Sequence, residues 1–241
     1  KDSSSTVKNI SLELGGNAPF VVFADADISN AIEGFIAAKF RNAGQTCISA
    51  NRLFVEEKIF DKFLKKLVVR IKKLKVGNGF EKSDVGPLIS EKAIKKIKNH
   101  IDDALSKGGE ILIGGKKSKI GKLFFEPTIV TNINKSMKIF SNENFGPIIP
   151  VIKFKSDDEL IQLANDTNYG LAAYFYTKKA SRVWKIIENL EYGMLGINSG
   201  KISSYLNPFG GLKESGVGRE GSIQCLEPFL ETKFVSWSYD D

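Results

Sequence analysis

The chain has 241 residues, 42% of them apolar, and a formal charge of +7. That is enough for one large domain or two small ones around a real core. No apolar run reaches the roughly 18 residues of a membrane span, no secretory leader is read at the polar start KDSSST, and two cysteines, Cys47 and Cys225, are too few for a disulfide framework.

Those two thiols fit a reducing compartment, and the expected location is cytoplasmic. Most of the excess charge is lysine between Lys58 and Lys122, at helical spacing opposite Phe63, Leu67, Ile71 and Leu74. That pattern reads as a solvated helix face. No basic ribbon interleaved with aromatics supports nucleic-acid binding.

In chain order, Val7 to Leu14 alternates and predicts a strand, and Pro19 to Ala24 predicts a buried strand. N-cap candidates at Asp27 to Asn30 precede an amphipathic helix over Ala31 to Phe40. A polar loop follows, then a strand over Arg52 to Val55. Long helices are expected over Glu57 to Leu74 and, capped by Ser90, up to Lys107. Strands are expected at Glu110 to Ile113, Thr128 to Thr131, Pro150 to Phe154, Leu171 to Tyr176 and Met194 to Ile197. Helices are expected at Ser156 to Asn165 and Lys179 to Leu190, and Phe229 to Trp237 reads as a last strand. Apolar strands alternating with helices predict an α/β fold with a largely parallel sheet covered on both faces.

Chemistry concentrates in two places. Cys47 sits on the loop between a helix and a strand, where backbone N–H groups favour a thiolate and hold a developing oxyanion. Glu13 lies in the apolar setting Leu12-Glu13-Leu14-Gly15-Gly16, which raises a carboxyl pKa and suits a general base. A loop thiol and a desolvated carboxylate are the parts of thioester catalysis. Gly216 to Gly221 matches G-x-G-x-x-G, but no apolar strand leads into it, so it reads as a turn and not as a dinucleotide site. His100, the single histidine, has no metal partners in the pattern, and no metal site is expected. Cys225 and Trp184 read as buried.

SLELGGNAPFVVFADADI and FRNAGQTCISANR, followed by GPLI, FEPTIV, ENFGPI, ANDTNYGLAAYFYT and PFGGLKESGVGREG, resemble the aldehyde dehydrogenase superfamily, most of all its succinate-semialdehyde branch. The motifs cover nearly the whole chain in order. The resemblance implies Cys47 as nucleophile and Glu13 as base. It implies Glu143, Phe145, Leu14 and Gly15 at the nicotinamide end of NAD or NADP. Arg41 and Ser203 would hold the distal carboxylate of the aldehyde, with Phe209 in the pocket wall. It further implies a homo-oligomer, dimer or tetramer.

By the same resemblance, residues 1–14 end a cofactor-binding domain, 15–205 form the catalytic domain, and 206–241 form a C-terminal loop and oligomerisation strand. The phosphate loop, the oxyanion asparagine and a further substrate arginine would lie in chain ahead of Lys1. Many relatives carry a second cysteine two places after the nucleophile; here Ser49 stands there, so no local disulfide switch is expected. The function implied is NAD(P)-dependent oxidation of succinate semialdehyde to succinate. The alternatives left open are another aldehyde, or an inactive domain that binds other subunits.

Overall fold

The apolar runs form the middle of a seven-stranded sheet in the computed structural model, which describes residues 2–239. The strands are β1 (Leu12–Glu13), β2 (Ala18–Val22), β3 (Ala50–Glu56), β4 (Glu110–Ile113), β5 (Thr128–Thr131), β6 (Ile148–Phe154), β7 (Tyr169–Gly170), β8 (Ala172–Tyr176), β9 (Met194–Ile197), β10 (Leu212–Lys213) and β11 (Gly216–Val217). The helices are α1 (Ile28–Phe40), α2 (Phe60–Ile71), α3 (Glu91–Ser106), α4 (Lys138–Ser141), α5 (Asp157–Asn165) and α6 (Ala180–Asn189).

The main sheet runs β4-β5-β6-β3-β2-β8-β9. Only β4 is antiparallel to its neighbour; the other pairs are parallel. Alternation along β2 explains the layering. Phe20 and Val22 join the core with Phe35, Phe63 and Ile97 of α1, α2 and α3, whereas Val21 and Phe23 join Leu160 and Ile186 of α5 and α6. Burying each such side chain stabilises the fold by about 1.5–3 kcal/mol before entropy is counted.

Helix starts follow the expected chemistry. Asp27, Ser90 and Ser156 each accept from a backbone N–H three residues on. Among the described residues, no helix is long and apolar enough to cross a membrane, and no cluster of His, Cys, Asp or Glu could hold a metal ion.

Five expectations change. The strand read over Val7 to Leu14 shrinks to β1, which pairs only with β11. The helix read over Glu57 to Leu74 begins as a 3-10 turn and ends at Ile71. Trp184 is 65% exposed, because the buried face of α6 runs through Val183, Ile186 and Ile187. The strand expected over Phe229 to Trp237 is absent: a 3-10 turn spans Ile223–Phe229, and residues 230–239 have no regular structure. A strand is a property of a pair, and among the described residues this segment has no ladder partner. Cys225, on that turn, is half-exposed and not buried.

Candidate active site

The loops that carry the candidate residues all lead into neighbouring parallel strands. The ELGGN turn enters β2, the Cys47 loop enters β3, the Glu143–Phe145 loop enters β6, and Tyr169 and Gly170 precede β8. They therefore meet at the amino ends of the order β6-β3-β2-β8. Open α/β sheets more often place ligands at the carboxyl ends.

The Cys47 loop is held rigidly. After α1 the chain turns through Asn42, Ala43 and Gly44 at φ 51, 57 and 80, a left-handed run that costs order 1–3 kcal/mol at each non-glycine. A Cβ on Gly44 would overlap the carbonyl of Gly146, which ties this loop to the one carrying Glu143. Gln45 donates to Asn42 O and Pro87 O and accepts from Ile89 N. Ser49 N donates to Thr46 O at 3.0 Å, closing the turn over Cys47. A Cβ on Gly16 would overlap Cys47 O, so the ELGG turn and the Cys47 loop touch through backbone.

Cys47 is half-buried and free. Burial pushes its thiol up, the charge of Glu13 pushes it further, and Glu143 adds to this; N–H groups at Cys47 and Ile48 oppose it. The local donors read from the sequence are thus outweighed, and the resting thiol is raised, not lowered. Both carboxyl oxygens of Glu13 are buried without a hydrogen-bond partner. Burial raises the Glu13 pKa, Glu220 adds to this, and Arg219 opposes it.

Glu143 Oε1 accepts from Gly16 N at 3.0 Å, and a Cβ on Gly15 would stand 3.2 Å from Oε2. A side chain at Gly15 would therefore crowd the half-buried carboxylate and the Tyr169 ring. Burial raises Glu143, while Gly16 N–H, Lys96 and Lys39 pull it down. Phe145 is exposed and has φ 51. Leu14 N donates to Ser215 O at 3.0 Å, and Ser215 Oγ donates to Gly15 O at 2.7 Å.

Behind this surface runs a buried amide network. Asn51 Nδ2 donates to Asn17 Oδ1, Asn144 N donates to Asn51 Oδ1, and Asn144 Oδ1 meets His100 Nδ1 at 2.8 Å. Arg52, fully buried, donates to the carbonyls of Asn17, Leu163 and Ala164 and to Tyr192 Oη.

On the other side of α1, Arg41 Nη1 donates to Ser203 Oγ at 3.1 Å. Both residues line a cavity of about 470 Å³, along with Ile36, Phe40, Ile202 and Tyr174. Thr46 and Ile48, the residues flanking Cys47, also line it; Cys47 does not. Tyr174 spans the gap: its hydroxyl donates to Ile48 O at 2.8 Å, and burial raises its phenol, with Cys47 adding and Arg41 opposing. Phe209 is outside this lining. Its backbone pairs with Glu220, and Gly210 beside it comes close to Glu13.

The structure thus brings Glu13 and Glu143 within electrostatic reach of Cys47, and Arg41 onto Ser203. Ser215, Tyr174, Arg52, Asn144 and Lys39 were missed in the sequence. An arginine directly before the apolar run Leu53-Phe54-Val55, Arg52, was the one available signal.

The fold is an α/β domain whose largely parallel sheet brings a thiol and two carboxylates together at the amino ends of its strands. The aldehyde dehydrogenase family model matches residues 1–235, and the chain belongs to that family. It is 51% identical over 236 residues to a probable succinate-semialdehyde dehydrogenase [NADP(+)] of Sinorhizobium fredii, covering 98% of this chain and 48% of that protein. It is 48% identical over 233 residues to a 3-sulfolactaldehyde dehydrogenase of Pseudomonas putida, covering 96% and 48%. Among solved structures, succinate-semialdehyde dehydrogenase from Burkholderia pseudomallei superposes with TM-score 0.92 at 52% identity, covering 94% and 47%. The chain spans about half the length of these relatives.

Proposed function

We propose that this chain is the catalytic part of an NAD(P)-dependent dehydrogenase for a short aldehyde with an anionic far end, succinate semialdehyde foremost. The observation that carries the reading is the Arg41–Ser203 pair in a cavity whose wall includes both neighbours of Cys47. An arginine fork suits a carboxylate, and a serine hydroxyl adds one bond. The named substrates of the Sinorhizobium and Pseudomonas relatives are likewise acidic aldehydes.

In this reading the Cys47 thiolate adds to the aldehyde carbon, and the carbonyl pair moves to oxygen, where the Cys47 N–H faces it. The half-buried Glu143 carboxylate suits the ribose hydroxyls of a nicotinamide nucleotide and exposed Phe145 its ring, with the Leu14–Gly15 backbone beside it. Bound there, an oxidised nicotinamide would supply the hydride acceptor that turns the Cys47 adduct into a thioester. Glu13, unpaired and raised, then takes a proton from water; the water oxygen adds to the acyl carbon, the C–S bond breaks, and the acid leaves.

The same reading divides the chain at residues 14 and 205, into the end of a cofactor domain, a catalytic domain and a C-terminal arm. Exposed Phe229, Leu230, Phe234, Val235 and Trp237 support an arm that pairs with another copy in a homo-oligomer. Two free cysteines fit the cytoplasm. Steady-state kinetics of the native full-length protein on succinate semialdehyde, 3-sulfolactaldehyde and butanal test the reading. Strong preference for the acidic aldehydes is expected, and equal kcat/KM for butanal would overturn it.

A further inference from the structure

Phe145 is an exposed aromatic residue whose backbone stands at φ 51. That left-handed conformation is unfavourable for a bulky side chain, so the chain on either side has to hold it there. Helix α3 reaches both neighbours. On one side Asn144 is fully buried, and its Oδ1 meets His100 Nδ1 at 2.8 Å. On the other, a Cβ on Gly146 would overlap the Cδ1 methyl of Ile97. His100 and Ile97 are three residues apart and lie on the buried face of α3.

The grip on Asn144 is complete. Its Nδ2 donates to Asn51 O and Ile139 O at 3.3 and 3.1 Å, and its backbone N donates to Asn51 Oδ1 at 2.8 Å. The oxygen Oδ1 can only accept, so the proton of the remaining bond lies on His100 Nδ1. Asn144 also separates Phe145 from Glu143, whose Oε1 accepts from Gly16 N at 3.0 Å. For packing alone, two apolar side chains at positions 100 and 144 would serve as well, without the desolvation of two polar groups.

We propose that His100 is a positioning residue for the nicotinamide half of the dinucleotide: its Nδ1–H on Asn144, with Ile97 against Gly146, holds the Phe145 ring and the Glu143 carboxylate where they meet that half. This rests on the reading of Glu143 and Phe145 as nicotinamide contacts. His100 is buried behind the loop and acts through Asn144.

Calorimetric affinities in the native full-length protein test this. The ligands are NADH and NADPH, and ADP with and without a 2′-phosphate, which lacks the nicotinamide and its ribose. Leucine fills much of the imidazole space but cannot donate. His100→Leu is expected to weaken NADH and NADPH roughly fivefold, the weight of one hydrogen bond, and to leave both ADP forms unchanged. Asparagine is smaller but places an amide N–H where Nδ1 stands. His100→Asn is therefore expected to keep nicotinamide affinity within about twofold of the native value.

Affinity unchanged in His100→Leu, or lost equally in His100→Asn, or lost alike for all ligands, marks the histidine as packing and overturns the proposal. Those results leave the cofactor reading standing if Glu143→Gln and Phe145→Ala still weaken NADH and NADPH. Unchanged affinity in these last two variants removes that reading and the proposal with it. Should His100→Leu fail to fold, Ile97→Val removes only the methyl against Gly146. It is expected to weaken the nicotinamide ligands alone, and no change there overturns the proposal.

Discussion

Arg41 and Ser203, 162 positions apart, are joined by a 3.1 Å hydrogen bond from Nη1 to Oγ. One lies just past α1 and the other follows β9, so the pair exists only once the sheet has brought β2, β8 and β9 together. Both residues are exposed to the cavity, and the guanidinium has donors left over for a ligand oxygen. Arg41→Met should lower kcat/KM for succinate semialdehyde by roughly 30- to 100-fold, the worth of a charge-assisted bond, and leave butanal nearly unchanged. Ser203→Ala should cost only about fivefold. Kinetics on the two aldehydes check both values.

Glu13 acts on Cys47 through charge. Burial is the larger cause of the raised thiol, and the Glu13 carboxylate is next. Glu13→Gln removes a negative charge beside the sulfur, so the thiol pKa should fall and the thiolate fraction at about pH 8 should rise. Iodoacetamide should then label Cys47 faster in the variant. Steady-state turnover should fall about a hundredfold or more, because thioester hydrolysis loses its base. Opposite signs in these two measurements separate a general base from a carboxylate that only supports the loop.

His100 links acid stability to the loop that carries Asn144. Asn144 Nδ2 donates to the carbonyls of Asn51 and Ile139, so its Oδ1 accepts and His100 Nδ1 carries the proton. Burial lowers the His100 pKa; Lys96 and Lys138 act the same way, and the Asn144 bond and Asp103 oppose. A histidine lowered in the folded state stabilises while it is neutral. As pH falls through about 6.5 the unfolded chain takes the proton first, and that stability is lost until the folded pKa is passed. Urea midpoints measured from about pH 8 to 5 should drop more steeply in the native protein than in His100→Gln.

Arg52 holds Asn17, and through it the turn that carries Glu13. Its guanidinium also lies over the rings of Phe54 and Phe140 at 5.4 and 5.3 Å. Arg52→Met should destabilise by about 3–5 kcal/mol, because three carbonyls and the Tyr192 hydroxyl lose their donor inside the core. Arg52→Lys should recover little, since one ammonium cannot reach a forked set of acceptors. Urea unfolding measures both.

Local features were legible in the sequence. The caps Asp27, Ser90 and Ser156 sit one step before their helices, and the apolar runs of β2, β3, β6 and β8 need no partner to be recognised as strands. Arg41 and Ser203 came from family motifs, which encode distance that spacing cannot. The amide network was not legible: Asn51 reaches Asn17 across 34 positions, His100 reaches Asn144 across 44, and Asn144 reaches Asn51 across 93. The sign at Cys47 was misread for the same reason. Its own N–H groups are local, whereas Glu13 and Glu143 arrive from distant segments. Trp184 followed helical spacing to Ile187 but lies one side of the stripe that faces the sheet.

In the proposed reaction one substrate molecule spans Cys47 and the Arg41–Ser203 pair. Peptide mass spectrometry of Glu13→Gln protein, quenched after mixing with succinate semialdehyde and NADP, reads this directly. A succinyl group on Cys47, lost when Arg41→Met is added but matched by a butanoyl group from butanal in both proteins, is the expected result. An unmodified Cys47, or succinylation that is indifferent to Arg41, would contradict it.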